Sequence, residues 1–149
     1  MRTDFVTRVI QVLAGASRGG AELHFVRLAV AFERAGLDQR IVMRPHPALL
    51  QPLRDAGVYV APAPFGGCFD FRTRRILRRE IAAFKPDIVL SYMKRASSIV
   101  PQGGFVHIGR LGGYYNLKYF RRCHHLVGIT PGIVDYCVKH GWSRVIART

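Results

Sequence analysis

Acidic residues are scarce in this chain. Its 149 residues include only 9 Asp and Glu against 23 Lys and Arg, which gives a formal net charge of +14. A field of that sign attracts anions such as nucleic acid, nucleotide phosphates or an anionic membrane face. Two plainer interpretations stay open, because surface charge is often only solvated: the charge serves solubility, or it forms half of an interface.

The chain also lacks long apolar runs and paired cysteines. No stretch of about 18 apolar residues occurs, which argues against a membrane-spanning helix. The start does not read as a secretory signal, because Arg8 and Gln11 interrupt the apolar stretch and Asp4 stands in the segment that a signal keeps positively charged. Three cysteines, an odd number without a C-x-x-C pair, indicate free thiols in a reducing compartment, so we expect a cytoplasmic protein.

Apolar runs of strand length alternate with segments of helical periodicity along the whole chain. The predicted strands cover residues 7–14, 39–43, 58–61, 88–91, 105–108, 125–129 and 144–147. The predicted helices cover residues 21–35, 49–56, 71–84, 93–100, 117–122 and 131–140. We therefore expect one α/β domain over residues 1–149, a Rossmann-like open, mostly parallel sheet of about six to seven strands with helices on both faces. Because the chain stops in a strand, we expect it to be either a fragment or a gene product that has lost its second half.

A glycine-rich turn, residues 15–20, joins the first predicted strand to the first predicted helix. Strand, glycine turn and helix together point a helix N-terminus at a ligand. The backbone amides and the helix dipole there favour an anion such as phosphate. The plainer interpretation is that the first turn of any α/β domain needs glycines for its backbone.

Other catalytic and binding patterns fail at this turn. Residues 15–19 match G-x-S-x-G, but nothing precedes the first strand to complete an oxyanion hole. The dinucleotide fingerprint fails on glycine spacing, and the second strand ends in Met43 and Arg44 rather than an acidic residue. No Gly-Lys-Ser/Thr follows to make a P-loop. The six histidines lack metal-ligand spacing, so we expect neither metal nor cofactor.

A second glycine-rich loop, residues 109–116, carries Arg110, Tyr114 and Tyr115. A guanidinium offers a planar fork for phosphate or carboxylate, and tyrosines offer ring faces and hydroxyls for a sugar or base. Alternatively, the turn simply needs glycines and the tyrosines pack over it. His107 is predicted near the carboxyl end of the fifth strand, where open sheets hold ligands, although an ordinary core or surface histidine is the more common case.

The predicted helix over residues 71–84 is basic and amphipathic. Its arginines spread over about 140° of the helix circumference, on a different side from its apolar residues. These arginines are Arg74, Arg75, Arg78 and Arg79. A solvated face and a face toward lipid or a partner are about equally compatible with this pattern.

Four motifs together resemble the N-terminal domain of family 4 glycosyltransferases, which have the two-domain GT-B fold. In chain order they are Gly19-Gly20-Ala21-Glu22, Lys85-Pro86-Asp87-Ile88-Val89, Arg110-Leu111-Gly112-Gly113-Tyr114-Tyr115 and His125-Leu126-Val127-Gly128-Ile129-Thr130-Pro131. They span nearly the whole chain. The third motif resembles a subset of the family that acts in synthesis of bacterial lipopolysaccharide or other cell-surface glycans.

The resemblance implies metal-independent transfer of a sugar from a nucleotide-sugar donor to a glycan or lipid-linked acceptor. It assigns the donor phosphates to Gly19, Gly20 and Glu22, and a catalytic role to His107. A larger group is assigned to the acceptor or substrate: Arg18, Arg110, Gly113, Tyr114 and Tyr115. The family's C-terminal donor-binding domain is not in this sequence, so we expect the chain alone to be inactive.

The resemblance also suggests a use for the positive charge. The arginine-rich helix is expected to rest on an anionic membrane surface that carries the acceptor, on the inner face of the membrane. The main alternative is a nucleic-acid- or anion-binding module without catalysis. Nucleic acid is not the expected partner, because aromatic residues are not interleaved with the basic ones as in a stacking platform. A third alternative is an interaction subunit completed by a separate chain.

Overall fold

The computed structural model describes residues 6–15 and 19–143, together with the backbone of residues 147–148. The strands are β1 Arg8–Leu13, β2 Asp38–Met43, β3 Tyr59–Pro62, β4 Ile88–Tyr92, β5 Val106–Leu111, β6 His125–Gly128 and β7 Ala147–Arg148. The helices are α1 Gly20–Arg34, α2 Pro47–Asp55, α3 Phe71–Phe84, α4 Met93–Ile99 and α5 Pro131–Lys139, with a 3-10 turn at Leu117–Phe120.

All described strand pairs are parallel, and they form one seven-stranded sheet in the order β3-β2-β1-β4-β5-β6-β7. The expected Rossmann-like α/β fold is therefore confirmed. The strand order reverses between β1 and β4, where Leu13 lies opposite Tyr92. In open α/β sheets, ligands bind outside the carboxyl ends of the strands at such a switch point. The fold thus points to the carboxyl edge of the sheet beside Leu13 and Tyr92.

Helices cover both faces of the sheet, because alternate residues of each strand point to opposite sides. On one face, Val12 and Val89 belong to a core with Leu77 of α3 and Ala96 of α4. On the other face, a second core joins the sheet to α1 and α2 through Leu13, Ile41, Phe25 and Leu53. The residues of both cores are almost fully buried.

A third core lies between β5, β6, the 3-10 turn and α5. It includes Leu111, Phe120, Leu126 and Ile133. A Cβ added to Gly109 would lie 2.8 Å from Cys123 Sγ and 2.9 Å from Phe120 Cδ1. Gly109 is therefore a strand residue on which Phe120 and Cys123 pack, and the prediction that a loop begins there is wrong. The loop begins after Leu111, where β5 ends.

The predicted helix starts at Asp70 and Thr130 are confirmed. The Asp70 carboxylate accepts a hydrogen bond from Thr73 N at 2.9 Å, and Thr130 Oγ1 accepts one from Ile133 N at 3.3 Å. Each satisfies an amide that has no partner within its own helix. The predicted strand at residues 144–147 falls mostly outside the described residues. In the described ranges, no helix is both long and apolar enough to span a bilayer.

Candidate functional site

The carboxyl edge of the sheet brings together the predicted site residues that follow β1 and β5. The register places Leu13 of β1, Tyr92 of β4 and Arg110 of β5 side by side across this edge. The first glycine turn follows Leu13, and the second follows Leu111. A turn after β4 that sequence reasoning did not select lies between them.

The first turn presents the N-terminus of α1 at this edge. Gly19 is the N-cap in extended conformation and Gly20 is the first helical residue, so the helix begins one residue earlier than predicted. Gly20 is exposed, and a Cβ added there would have no atom within 4 Å. Its glycine identity therefore has no steric cause within the described part of the chain. Arg18, the remaining predicted residue of this turn, lies outside the described residues.

Glu22 folds back into the first turn. Its side chain is buried, and its carboxylate lies against Gly15 and Gly19. A Cβ added at Gly19 would lie 2.5 Å from Glu22 Oε2, and one at Gly15 would collide with Oε1. These two glycines thus make room for the chain's own carboxylate. A carboxylate at a helix N-terminus complements the dipole, but it repels a phosphate that approaches from the same side.

The sequence did not indicate the turn after β4, because this turn consists only of Tyr92 and Met93 and carries no recognisable motif. The Tyr92 ring is fully buried, packs edge-on against Phe25 and donates a 3.4 Å hydrogen bond to Gln11 Oε1. Burial raises the pKa of Tyr92, so the phenol stays neutral. Met93 has a φ of 62°, a left-handed conformation that is uncommon for residues other than glycine and that clusters at functional sites.

Arg110 leans over this turn. Its guanidinium carbon lies 5.4 Å from the centre of the Tyr92 ring, within the range of a cation–π contact. The ring of His24, on α1, lies 6.3 Å from the Tyr92 ring. Burial lowers the pKa of His24, and the charge of Arg110 lowers it further. Arg110 and His24 therefore face the same space between the two glycine turns.

The two tyrosines of the second turn differ in exposure. Tyr114 is 67% exposed, its ring stands edge-on to Tyr136 at 5.4 Å, and its hydroxyl lies above Gly132 at the start of α5. Tyr115 stacks on Phe120, and its carbonyl accepts a 2.9 Å hydrogen bond from the Tyr136 hydroxyl. Tyr114 is thus available to a ligand, whereas Tyr115 packs over the turn.

Two glycines of the second turn stand beside these tyrosines. A Cβ added at Gly113 would be in ordinary contact with the Tyr115 ring at 3.6 Å. At Gly112, which is exposed, it would again meet no atom within 4 Å. Gly20 and Gly112 therefore leave open space on either side of the switch point.

His107 does not lie where it was predicted. It is the second residue of β5, near the amino end of the strand, and it is 1% exposed. Its Nε2 lies 2.7 Å from Ser91 Oγ and 3.7 Å from Cys123 Sγ. Burial lowers the pKa of His107 to about 4 and raises that of Cys123 to about 12. The geometry gives neither side chain access to a substrate, so a catalytic role for His107 has no structural basis.

The four arginines of α3 are all exposed but face different surroundings. Arg74 and Arg78 border cavities between α3 and α4, where Ile99 is part of the lining. Arg79 pairs with the Glu80 carboxylate at 3.1 Å. Arg74 and Arg78 of this helix therefore line the space between α3 and α4, whereas Arg79 lies outside it. Across the described ranges, no cluster of three or more His, Cys, Asp or Glu has the geometry of a metal site.

Sequence comparison finds relatives of one functional class. No family model matches the chain. Two curated proteins of Rhizobium meliloti (strain 1021) are similar to it: the lipopolysaccharide core biosynthesis glycosyltransferases LpsD, 31% identical over 137 residues, and LpsE, 32% identical over 136 residues. These alignments cover 87% and 86% of the chain but 39% and 38% of the relatives. The chain thus spans about two-fifths of the length of the curated relatives it matches.

Several solved structures share the fold of this chain, among them glycosyltransferases and UDP-N-acetylglucosamine 2-epimerases. The apo form of the lipopolysaccharide outer core galactosyltransferase WaaB matches 96% of the chain and 45% of its own length, with a TM-score of 0.69 and 14% identity. Anabaena HepE in complex with UDP-glucose matches 94% of the chain and 42% of its own length, with a TM-score of 0.68 and 10% identity. At these identities the likeness is one of fold, here that of GT-B glycosyltransferases. The resemblance to lipopolysaccharide glycosyltransferases is confirmed, and the nucleic-acid alternative gains no support.

Proposed function

We propose that this chain forms the acceptor-side half of a glycosyltransferase in lipopolysaccharide or other surface-glycan synthesis. The whole enzyme moves a sugar from a nucleotide-sugar donor to a glycan or lipid-linked acceptor, without a metal ion. Support comes from the names of its sequence relatives and from the UDP-glucose complex of HepE, which has a similar fold. The remaining part of the enzyme supplies most of the donor site, so the chain alone is inactive.

The observation that carries this proposal is the open space at Gly20 and Gly112. Both glycines lie at the carboxyl edge, one on each side of the turn after β4, and neither has a packing contact or a positive φ that requires glycine. A side chain at either position would extend into the space above the switch point. A ligand backbone that passes close to both turns explains why neither residue carries a side chain.

The chemistry follows from what surrounds that space. When the bond between the sugar and the nucleotide breaks, negative charge grows on the departing diphosphate. The first amides of α1, at Gly20 and Ala21, and the positive end of the helix dipole face this charge. The Arg110 guanidinium, 5.4 Å from the centre of the Tyr92 ring, adds a fixed positive charge. Donor phosphate therefore lies between Gly20 and Arg110.

The acceptor is assigned to the second turn. Tyr114 offers an exposed ring and hydroxyl beside Gly113 and the open backbone of Gly112. Aromatic rings of this kind stack on the apolar faces of sugars while their hydroxyls form hydrogen bonds. Tyr115 supports this turn through its contact with Phe120 and does not touch the ligand.

Titration of the 15N-labelled chain with UDP tests the phosphate site. We expect amide shifts concentrated at Gly19, Gly20 and Gly112, and a Gly20→Val variant should bind UDP at least about tenfold more weakly, or about 1.4 kcal/mol. Gly104→Val is the matched control, because Gly104 also has no atom within 4 Å of an added Cβ but precedes β5 at the opposite edge. Equal UDP binding by both variants and the parent chain would rule out this site.

We further propose that the outer surface of α3 rests on an anionic membrane from the cytoplasmic side. Phe69 and Phe71, at the start of α3, are 86% and 72% exposed, and Arg75 and Arg79 follow them on the helix. Exposed aromatic rings beside arginines favour the interface of an anionic bilayer. Co-sedimentation with phosphatidylglycerol vesicles should fall when Phe69 and Phe71 are changed to Ser. Sedimentation that is indifferent to lipid charge and to salt would reject membrane contact.

A further inference from the structure

A continuous groove crosses the outside of the sheet between α3, α4 and the 3-10 turn. Three neighbouring cavities of about 380, 410 and 280 Å³ form it. The first two share Arg74 and Ile99 in their linings, and the last two share Ser98 and Tyr119. Each of the two larger cavities falls in the range of small-molecule sites, so the connected groove has room for several sugar units.

The walls of this groove are basic. Arg74 and Arg78 come from α3, Lys94 and Arg95 from α4, and Lys118 and Arg122 from the 3-10 turn and the residues after it. In the described lining of the three cavities there is no Asp or Glu to neutralise them. Asp70, near one end, is held by the amides of Gly66 and Thr73. Positive charges converge on a concave surface, where their field is focused toward an anion.

Other parts of the lining suit a sugar. Ile81, Ile99 and Phe65 provide apolar surface, while Ser98, Gln102 and Tyr119 provide hydroxyl and amide groups. The amino groups of Lys94 and Lys118 lie 6.0 and 5.1 Å from the centre of the Tyr119 ring. Pyranose rings need both kinds of contact, apolar faces against their C–H groups and hydrogen-bonding groups for their hydroxyls. One half-exposed aromatic ring is too few for successive nucleic-acid bases.

The position of the groove connects it to the proposed reaction. Gly67 and Cys68, in its lining, belong to the loop that follows β3, and Lys94 and Arg95 follow β4 directly. Both segments lie at the carboxyl edge, so the groove begins beside the switch point and runs away from it along α4. A chain of sugars whose end reaches that edge would lie in the groove.

We infer that the groove between α3, α4 and the 3-10 turn binds an acidic glycan, one whose sugars carry phosphate or carboxylate groups. This inference rests on the proposed function and names the class of its acceptor. Guanidinium groups pair with phosphate and carboxylate through the same planar fork, so both anions belong to one class here.

Binding to the full 149-residue chain tests this assignment. The probes are a phosphorylated disaccharide, digalacturonate, a neutral disaccharide of the same length, and inorganic phosphate, all at one ionic strength. At least one acidic disaccharide should bind tenfold or more tightly than both the neutral disaccharide and inorganic phosphate. Affinity for acidic disaccharides no greater than for the neutral one, or no greater than for inorganic phosphate, would overturn the inference.

Two double variants of α3 distinguish binding in the groove from general attraction by the positive charge of the chain. Arg74→Gln with Arg78→Gln removes two charges that border the groove, and Arg72→Gln with Arg75→Gln removes two exposed charges of the same helix outside it. Gln keeps the helix propensity close to that of Arg. The first pair should weaken binding of the acidic disaccharide tenfold, and the second less than twofold. Equal losses would mean diffuse attraction and contradict the groove.

Two further experiments, competition with vesicles and titration with UDP, distinguish a failure of the groove from a failure of the proposed function. Anionic vesicles should not displace the bound disaccharide, since the membrane contact lies on Phe69 and Phe71. Two results together would show that the groove binds a lipid headgroup instead. Vesicles would displace the acidic disaccharide, and the double variant Arg74→Gln with Arg78→Gln would no longer bind vesicles. UDP titration of the same pair should match the parent chain. If UDP binds but the acidic disaccharide does not, only the proposed glycan groove is rejected. If the acidic disaccharide binds but UDP does not, only the proposed donor site is rejected.

Discussion

The two glycine-rich turns at the carboxyl edge look alike in sequence but differ in what lies beside their glycines. In the first turn, Gly15 and Gly19 enclose the carboxylate of Glu22, and Gly20 alone faces open space. Beside the second turn, Gly109 within β5 is buried beneath Phe120, whereas Gly112, in the turn itself, faces open space. Within one glycine-rich segment, some glycines are therefore required by a neighbouring side chain, and others face open space.

Only glycines of the second kind leave room for a ligand. A glycine on which the chain's own side chains pack, such as Gly109, is needed for stability. A glycine at the carboxyl edge without a neighbour and without a positive φ, such as Gly20, has room for a ligand, whereas Gly104 has the same freedom at the opposite edge. Substitutions at the two kinds of position should therefore separate folding from binding.

Acid should destabilise the strand that leads into the second turn. Burial holds the pKa of His107 at about 4, so between about pH 6.5 and pH 4 the unfolded chain takes up a proton that the native chain does not. Stability is complete above about pH 6.5 and falls as the pH is lowered, by up to about 3 kcal/mol from this group. Urea unfolding measured at several pH values checks the slope.

The control for this prediction is a His107→Gln variant, read by its slope rather than by its absolute stability. Glutamine does not titrate, so the difference between the two slopes isolates His107 from the other histidines. A variant with the same slope as the parent chain would show that the buried imidazole is not its origin.

Gly109→Ala should cost about 2 kcal/mol, because its Cβ would press on Cys123 and Phe120 in a filled core. Gly112→Ala, three residues along the same segment, should change the free energy of unfolding by less than about 0.5 kcal/mol. Both are measured by urea denaturation. Equal losses at the two positions would remove the distinction between packed and open glycines.

Glu22→Gln should strengthen UDP binding, because the phosphate would no longer meet a carboxylate beside the first turn. We expect a gain of about fivefold, or about 1 kcal/mol, because Glu22 is buried but the approaching phosphate stays at the solvent-open edge, where its charge is screened. Asp38→Asn, at the amino end of β2, makes the same charge change at the opposite edge and should leave affinity unchanged. Weaker binding in Glu22→Gln would instead assign the carboxylate a direct role in holding the donor.

Arg110→Gln should raise the pKa of His24, because it removes a positive charge that disfavours the imidazolium. This effect is the smallest of the four, since His24 lies in an exposed part of α1. An NMR titration of the His24 ring measures it. Arg122→Gln, in the basic groove, should leave the His24 titration unchanged, and a shift of equal size there would indicate a general charge effect.

Much of the fold could be predicted from local patterns. Alternating strands and helices gave the parallel sheet, and Asp70, Thr130 and Pro131 gave two helix starts that the structure confirms. The glycine turn after the first strand also predicts a candidate site at the carboxyl edge of the sheet. These signals are local, since each depends on residues within a few positions of one another.

The errors came from contacts between distant residues. Gly109 reads as a turn residue because the sequence does not show that Phe120 and Cys123 lie on it. Extending β5 to Leu111 moves His107 from the carboxyl end of the strand toward the amino end. The left-handed conformation of Met93 has no local signal either, because glycine or asparagine is the residue expected there.

The central place of β1 has a consequence for how the chain acquires its structure. Arg8 N donates a 2.8 Å hydrogen bond to the Asp87 carboxylate, across a sequence separation of 79 residues. The β1–β2–β3 half and the β4–β7 half of the sheet can each assemble from neighbouring segments, but the pairing of β4 with β1 must close that long loop. On the ribosome, the first half would therefore wait with one side of β1 unpaired, and the slow step of folding would be the arrival of β4.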